Sequence, residues 1–180
     1  MKTNQGNCSY GVLITKMERK AFDSEREMEN LLRYITRTRK KDKKEVLWGA
    51  RYGEGSKGIE TVIRQWKQIH CSYTRNTRRH GRYCYHEYFS LSRESGNLEG
   101  REKMLEEMAF CMSEEYKEAG YGVVYAVHAP DHEDKNYHIH FAVNTVCVKD
   151  GRKLHDFFYS KGQREARFNA VAEAFFQDKN

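Results

Sequence analysis

The chain has 180 residues, a length that fits one domain with its own hydrophobic core. Charged residues make up 32% and aromatic residues 13%, which argues against disorder, and the net charge of +6 favours a polyanionic partner. No apolar run reaches the roughly 18 residues of a membrane helix, and the first ten residues lack the apolar core of a secretory signal. We therefore expect one domain over residues 1–180, located in the cytoplasm without membrane insertion.

The first half of the chain predicts two strands and two helices beside two basic segments. Residues 9–16 are rich in β-branched and aromatic residues and predict a strand, and Asp23-Ser24 can cap a helix that ends at about 34–36. The pattern further predicts a short strand over 46–52, a helix along 59–69 and a polar, basic loop over 70–81. The basic run over 33–44 has two interpretations, a solvated surface or a nucleic-acid contact.

The second half predicts three strands and two helices. The strands are expected over 82–91, 121–127 and 137–146, and the helices along 98–116 and 162–177. A polar loop over 129–136 and a turn at 150–151 separate the later elements. The links are too varied for a regular parallel winding, so we expect an α+β fold with helices packed on an antiparallel sheet.

Three histidines lie where two predicted strands meet. His138 and His140 share one face of a strand, about 7 Å apart, and His128 closes the preceding strand. Three imidazoles can bind one divalent ion and leave coordination positions open, as in catalytic sites. Each ring needs an acceptor that fixes its tautomer, and the nearby candidates are Asp131, Glu133, Asp134 and Asn144. The competing interpretation, a merely polar sheet face, is disfavoured by the HxH spacing with a third histidine before it.

Among twelve tyrosines, Tyr34 is the candidate nucleophile. It ends an amphipathic helix and opens the densest cationic run of the chain. Nearby Arg and Lys favour the phenolate and attract a phosphodiester. Phosphate oxygens are suitable ligands for the open positions of a metal ion, which polarises them.

Residues 123–155 (VVYAVHAPDHEDKNYHIHFAVNTVCVKDGRKLH) resemble the metal-binding motif of conjugative relaxases, the plasmid mobilisation nucleases of the HUH endonuclease superfamily. The family pattern is a histidine ending a strand, an acidic loop, HxH, an apolar stretch and an asparagine. In this chain it is matched by His128, residues 131–134, His138, His140 and Asn144. Two further segments resemble the first and second relaxase motifs in order and spacing: LLRYIT at 31–36 and YHEYFSL at 85–91.

The resemblance implies roles for individual residues. Tyr34 matches the nucleophile of the first motif, and His86 and Ser90 match a histidine and a serine that lie near DNA in the second. His86, or an acidic residue of the 131–134 loop, is then a candidate to accept the phenol proton. Basic residues on either side of these motifs are expected to contact DNA: Arg33, Arg37, Arg39, Lys40, Arg78, Arg79 and Arg82.

The resemblance also implies a fold of about five antiparallel strands and a specific reaction. The reaction is site- and strand-specific nicking and rejoining at an origin of transfer, through a 5′-phosphotyrosine intermediate. The implied cofactor is a divalent metal ion, Mn²⁺ or Mg²⁺ first and Zn²⁺ as the alternative. The implied partners are single-stranded or hairpin DNA at the origin of transfer, relaxosome accessory proteins and a type IV coupling protein. Relaxases commonly continue beyond this domain, which leaves a C-terminal portion open.

The sequence leaves alternatives open for one metal ligand and for the function. The loop between His128 and His138 is longer than in typical relaxases and contains His132, which is an alternative to His128 as a ligand. A rolling-circle replication initiator or a transposase of the same superfamily would use similar chemistry. A non-catalytic DNA-binding module would keep the fold without cleavage. A zinc hydrolase of small molecules is disfavoured by the basic balance of the chain.

Overall fold

The computed structural model describes residues 9–16, 22–37, 47–51, 58–74, 81–92, 95, 98, 100–130, 136–155, 157 and 159–177. Within these ranges the chain forms five strands and four helices. The strands are β1 (Gly11–Thr15), β2 (Leu47–Arg51), β3 (Cys84–Leu91), β4 (Tyr121–His128) and β5 (His138–Cys147). The helices are α1 (Glu25–Ile35), α2 (Ile59–Thr74), α3 (Glu102–Glu118) and α4 (Lys161–Gln177).

The strands form one antiparallel sheet in the order β1-β3-β5-β4-β2. Strand β5 lies at the centre, between β3 and β4, and the pairing of β4 with β5 sets His128 directly opposite His138. The predicted α+β class and the antiparallel sheet of about five strands are therefore confirmed.

Helices cover both faces of the sheet, and each face has its own hydrophobic core. On one face, α1 and α2 place residues such as Leu32 and Trp66 against Val124 and Ala142 of the central strands. On the other face, α3 and α4 pack over the opposite side chains of the same strands, in a core that includes Phe141. This division of the helices brings the end of α1 close to the histidine-bearing ends of β4 and β5.

Helix α1 begins with a capping box. Ser24 is the N-cap, and its Oγ accepts a hydrogen bond from the Glu27 N–H at 3.2 Å. The Glu27 carboxylate in turn accepts from the Asp23 N–H at 2.8 Å, so two backbone donors at the helix start are satisfied. Four residues at helical spacing bury one face of the helix: Met28, Leu31, Leu32 and Ile35.

The outer edge of β1 is closed by side chains of α4. The Gly11 N–H donates to Asn169 Oδ1 and Asn169 Nδ2 donates to the Gly11 carbonyl, both at 3.0 Å. The Leu13 N–H donates to Glu165 Oε2 at 2.9 Å. Backbone groups that an edge strand would otherwise leave exposed are therefore paired within the chain.

A buried ion pair lies on the α3 and α4 face. The Glu87 carboxylate of β3 is fully buried and accepts from Arg164 Nη2 at 2.7 Å and Nε at 3.0 Å. It also accepts from the Tyr116 hydroxyl at 2.7 Å and the Thr15 hydroxyl at 2.6 Å. One carboxylate thus connects β3 to β1, α3 and α4, and these hydrogen bonds offset the cost of burying its charge.

Helix α2 departs from the sequence prediction, because it continues to Thr74. The loop expected to begin at His70 is therefore wrong for residues 70–74, and residues 75–80 lie outside the described part. His70 is buried and its ring packs 4.6 Å from that of Tyr83 between centroids, so a polar residue faces the core here. Tertiary packing extends the helix beyond its apolar stripe, and no glycine or proline interrupts it before Gly81.

Candidate active site

The three predicted metal ligands converge where β4 and β5 meet. The pairing of these strands puts His128 opposite His138 and Ala126 opposite His140. One nitrogen from each of the three rings lies within 4.8 Å of the others, and His128 and His140 are buried. Such a group of nitrogens could hold one divalent ion.

Backbone carbonyls orient two of the rings. His138 Nδ1 lies 2.9 Å from the Asn136 carbonyl oxygen, and His128 Nε2 lies 2.7 Å from the Ile35 carbonyl oxygen. A carbonyl only accepts, so these two nitrogens carry the protons. The lone pairs then belong to His138 Nε2 and His128 Nδ1, which are the nitrogens that would coordinate an ion.

The third ring is oriented by another histidine. His86 Nε2 lies 2.9 Å from His140 Nδ1. The other nitrogen of that ring, His140 Nε2, is buried and has no hydrogen-bond partner among the described residues. A buried nitrogen without a partner is costly unless something binds it, and a divalent cation would satisfy its lone pair. The donor set therefore fits a divalent metal ion.

Burial keeps this pair of rings neutral. Desolvation lowers the pKa of His86 to about 4, with Lys16 and two neighbouring histidines adding to the effect. Desolvation also lowers the pKa of His140 well below its usual value, and the surrounding histidines act in the same direction. At neutral pH both imidazoles are unprotonated, the form in which histidine binds metals.

Tyr34 lies beside the histidine cluster. Its ring centroid is 5.8 Å from that of His140, 6.3 Å from that of His128 and 6.4 Å from that of His86, in edge-on geometry. Tyr34 belongs to the last turn of α1, whose Ile35 carbonyl bonds His128. One helix end therefore positions both the candidate nucleophile and a candidate metal ligand.

Arg37 also lies at the centre of the site, in an unusual backbone conformation. Its φ is 52°, which is in the left-handed region. Arg37 directly follows Thr36, the C-cap of α1, at a position where glycine is common. The guanidinium carbon lies 5.3 Å from the Tyr34 ring centroid, and Nη2 lies 3.4 Å from His128 Nδ1. The sequence predicts Arg37 as a DNA contact, and the structure brings its charge to Tyr34 and His128.

A cavity of about 370 Å³ opens beside the histidines, on the β1 and β3 side. Ser90, a predicted DNA contact, lines it. Lys16 and Tyr88 line it as well, and the sequence analysis missed both. The sequence could have indicated Tyr88, because alternate residues of a strand share one face and Tyr88 lies between His86 and Ser90 in that alternation.

Two other predicted site residues, Arg33 and Arg82, have partners outside the histidine cluster. Arg33 forms a two-pronged ion pair with Glu60 of α2. Arg82 lies over the Tyr85 ring, 5.7 Å from its centroid, and that ring belongs to the core under α3 and α4. The following predicted residues lie outside the described part of the chain: Arg39, Lys40, Arg78, Arg79, Asp131, His132, Glu133 and Asp134.

Asn144, a predicted ring-orienting acceptor, bonds the backbone of its own strand. Its Oδ1 accepts from the Val146 N–H at 2.8 Å, within the same strand. Among the described residues, the partners of the three candidate ligands include two backbone carbonyls, His86 and Arg37. Such partners depend on how elements meet in space, so residue types in one segment do not reveal them.

An antiparallel sheet that brings three histidines together from its central strands, with a tyrosine from an adjacent helix, is the arrangement of HUH-type nucleases. The family model described as "Relaxase: MobA/VirD2-like, nuclease domain" matches residues 34–175, and the chain belongs to this relaxase family. Neither a curated protein nor a solved structure matches the chain. Membership in a nuclease-domain family indicates, in broad terms, a nuclease that acts on DNA. Within the described residues, no helix is long and apolar enough to cross a membrane.

Proposed function

We propose that this chain nicks and rejoins one DNA strand at an origin of transfer in conjugative mobilisation, by transesterification. The observation that carries this proposal is the position of Tyr34, whose ring lies 5.8 Å from that of His140 beside the three convergent histidines. A phenol next to imidazoles that could hold a metal ion is placed to attack a phosphate bound at the same site.

In the proposed step, Tyr34 Oη attacks the phosphorus of the scissile phosphodiester. The Oη–P bond forms as the P–O3′ bond breaks. The phenol proton passes to solvent water, and the leaving 3′-oxygen takes a proton from solvent. The upstream strand then ends in a free 3′-hydroxyl, and the downstream strand carries a 5′-phosphotyrosine. The phosphodiester energy is kept in the new ester, so the reverse attack rejoins the strand.

Each residue of the site has a distinct task in this proposal. His128, His138 and His140 would hold a divalent cation, Mn²⁺ or Mg²⁺ first and Zn²⁺ as the alternative, which when bound supplies polarisation of a phosphate oxygen. His86 orients His140 through the 2.9 Å bond between their rings, so its task is positioning rather than proton transfer. Arg37 is placed to pair with a phosphate oxygen beside Tyr34.

The proposed partners follow from the same chemistry. The net charge of +6 and the Lys16 cation at the cavity favour a single-stranded or hairpin DNA at the origin of transfer. Conjugative mobilisation further requires relaxosome accessory proteins and a type IV coupling protein. We place the protein in the cytoplasm, where plasmid DNA is processed.

A covalent trapping experiment tests this function. The protein is incubated with Mn²⁺ and a pool of single-stranded oligonucleotides from its own genetic element, and a denaturation-resistant adduct is sought. We expect an adduct whose attachment site maps by mass spectrometry to Tyr34, and no adduct with Tyr34→Phe or with chelator. Tyr159→Phe is the matched control, because Tyr159 is 91% exposed and is expected to leave adduct formation unchanged.

Two outcomes would contradict the proposal. An adduct that persists in Tyr34→Phe would assign another nucleophile. DNA that is bound but never trapped, with Tyr34→Phe behaving as the wild type, would indicate a non-catalytic DNA-binding module. The sequence of the trapped DNA separates an origin of transfer from the target of a replication initiator or a transposase.

A further inference from the structure

Among the described residues, helices cover only one half of the α1 and α2 face of the sheet. Helices α1 and α2 pack over β4 and β5, and the described helices leave the β1 side of this face uncovered. The register pairs Val12 with Ser90 and Ile14 with Tyr88, so these side chains share one face, and Lys16 continues the same alternation. Val12, an apolar residue, is 52% exposed there. We call this surface, formed by Val12, Ile14, Lys16, Tyr88 and Ser90, the open face.

The open face combines an aromatic ring with a cation, directly beside the histidine cluster. Lys16 is exposed, and its Nζ lies 5.7 Å from the centroid of the Tyr88 ring. The Tyr88 ring is in turn 5.5 Å from that of His140 and 6.0 Å from that of His138. An aromatic platform next to a positive charge is the combination with which proteins bind single-stranded nucleic acid.

The space over the open face is suited to one nucleotide. The cavity of about 370 Å³ is within the range of small-ligand pockets, and Tyr34 forms part of its wall. Ser90 and Asn136 also line it, and a hydroxyl and an amide are groups that can donate to and accept from a base edge. A nucleotide bound in this cavity would therefore lie next to the phosphorus that Tyr34 would attack.

We propose that the open face binds the nucleotide directly flanking the scissile phosphate, with its base against Tyr88 and its phosphate paired with Lys16. This inference rests on the proposed nicking function, because the scissile phosphate is placed at the histidines and Tyr34. The ligand is a single-stranded nucleotide, since a base must leave its duplex stack to lie on the ring. Ser90 and Asn136 then make the subsite selective for one base.

The first test uses Tyr34→Phe protein, which binds DNA without chemistry. The probe is single-stranded d(T)12 with one 5-iodouracil, cross-linked by light and mapped by mass spectrometry. We expect the cross-link at Tyr88, and about 10-fold weaker binding in Tyr88→Leu because base stacking is lost. Tyr88→Phe keeps the ring and is expected to bind as Tyr34→Phe alone, which separates stacking from misfolding. Lys16→Gln is expected to weaken binding and to reduce its salt dependence.

Matched controls come from the opposite face and from a distant loop. Lys103→Gln and Tyr159→Leu change exposed residues of the same types, and both are expected to leave binding unchanged. A cross-link elsewhere, with unaltered binding in Tyr88→Leu and Lys16→Gln, would overturn the assignment of the open face.

The second test measures the base preference at the cleavage site. Wild-type and Tyr88→Leu proteins are trapped on a randomised single-stranded pool, and the trapped strands are sequenced. We expect the base preference to weaken at one position adjacent to the scissile phosphate and to persist elsewhere. An identical preference in both proteins would overturn the subsite. Failure of the wild type to form any adduct would overturn the nicking function instead, while the cross-linking result still decides whether the open face binds DNA.

Discussion

Arg37 shows how one residue combines a conformational cost with a position in the site. A non-glycine residue in the left-handed region costs about 1 kcal/mol or more, and the position after a helix C-cap usually has a glycine that avoids this cost. Here the φ of 52° directs the guanidinium to the Tyr34 ring and to His128 Nδ1. Backbone strain of this kind concentrates at functional sites, and its location beside the candidate nucleophile supports a catalytic use.

Replacement of Arg37 by glycine is expected to separate stability from activity. Arg37→Gly removes the strain and raises the free energy of unfolding by up to about 1 kcal/mol. It also removes the cation beside Tyr34, so adduct formation is expected to slow at least ~10-fold. Urea unfolding and the rate of covalent trapping measure the two effects. Arg167→Gln, which changes an exposed arginine of α4, is the control, and an unchanged trapping rate in Arg37→Gly would show that this charge has no part in the reaction.

At the scale of elements, α1 carries both Tyr34 and the carbonyl that orients His128. The capping box at its start is therefore expected to contribute to stability without touching the site. Ser24→Ala should lower the free energy of unfolding by about 1 kcal/mol, measured in urea, because the Glu27 N–H loses its acceptor. Ser72→Ala in α2, whose hydroxyl donates to a carbonyl of its own helix, is the control with a smaller effect. An equal loss of unfolding free energy in Ser24→Ala and Ser72→Ala would show that the cap contributes no more than an ordinary helix hydroxyl.

The buried Glu87–Arg164 pair fixes α4 against the sheet, and removing one partner is expected to be severe. Arg164→Met leaves an uncompensated buried carboxylate and should cost about 3–5 kcal/mol. The double variant Glu87→Leu with Arg164→Met should recover much of this loss, because no charge is then buried. A double-mutant cycle from urea unfolding gives the coupling, and additive losses would mean that the pair acts as two independent contacts.

At the scale of the whole molecule, the buried histidine pair makes stability depend on pH. Burial lowers the pKa of His86 to about 4, so the unfolded chain binds the proton more readily than the folded chain. The contribution is fully present above the unfolded pKa of about 6.5 and is lost as pH falls towards the folded value. His140 acts in the same direction.

Thermal unfolding in chelator is expected to show this dependence. Stability should be level at pH 7–8 and fall between about pH 6.5 and pH 4, by up to about 3 kcal/mol from His86, with His140 adding in the same direction. Added Mn²⁺ should raise the unfolding temperature at neutral pH and lose this effect in acid, because protons compete for the same nitrogens. A flat profile from pH 7 to pH 4.5 in chelator would contradict the burial of neutral rings.

Local patterns predicted the fold because the strands and helices have clear periodicities and caps, as at Ser24 and in β5. The sequence also selected the candidates that the structure brings together: the three histidines by their spacing and strand ends, and Tyr34 by its place at the end of a helix before a cationic run. Local patterns missed what depends on register between distant segments: the His86–His140 bond, the Ile35 carbonyl at His128, and Lys16 over Tyr88. Packing likewise extended α2 beyond its apolar stripe to Thr74.

The paired edge of β1 has a consequence for assembly. Sheets polymerise or bind peptides when the unpaired backbone groups of an edge strand accept another strand. In β1 the outward backbone groups of Gly11 and Leu13 are already hydrogen-bonded to Asn169 and Glu165. Any larger complex built on this chain must therefore use side-chain surfaces or another edge. Loss of these two side chains would leave backbone groups of β1 unpaired, and we expect aggregation through this edge as the first result.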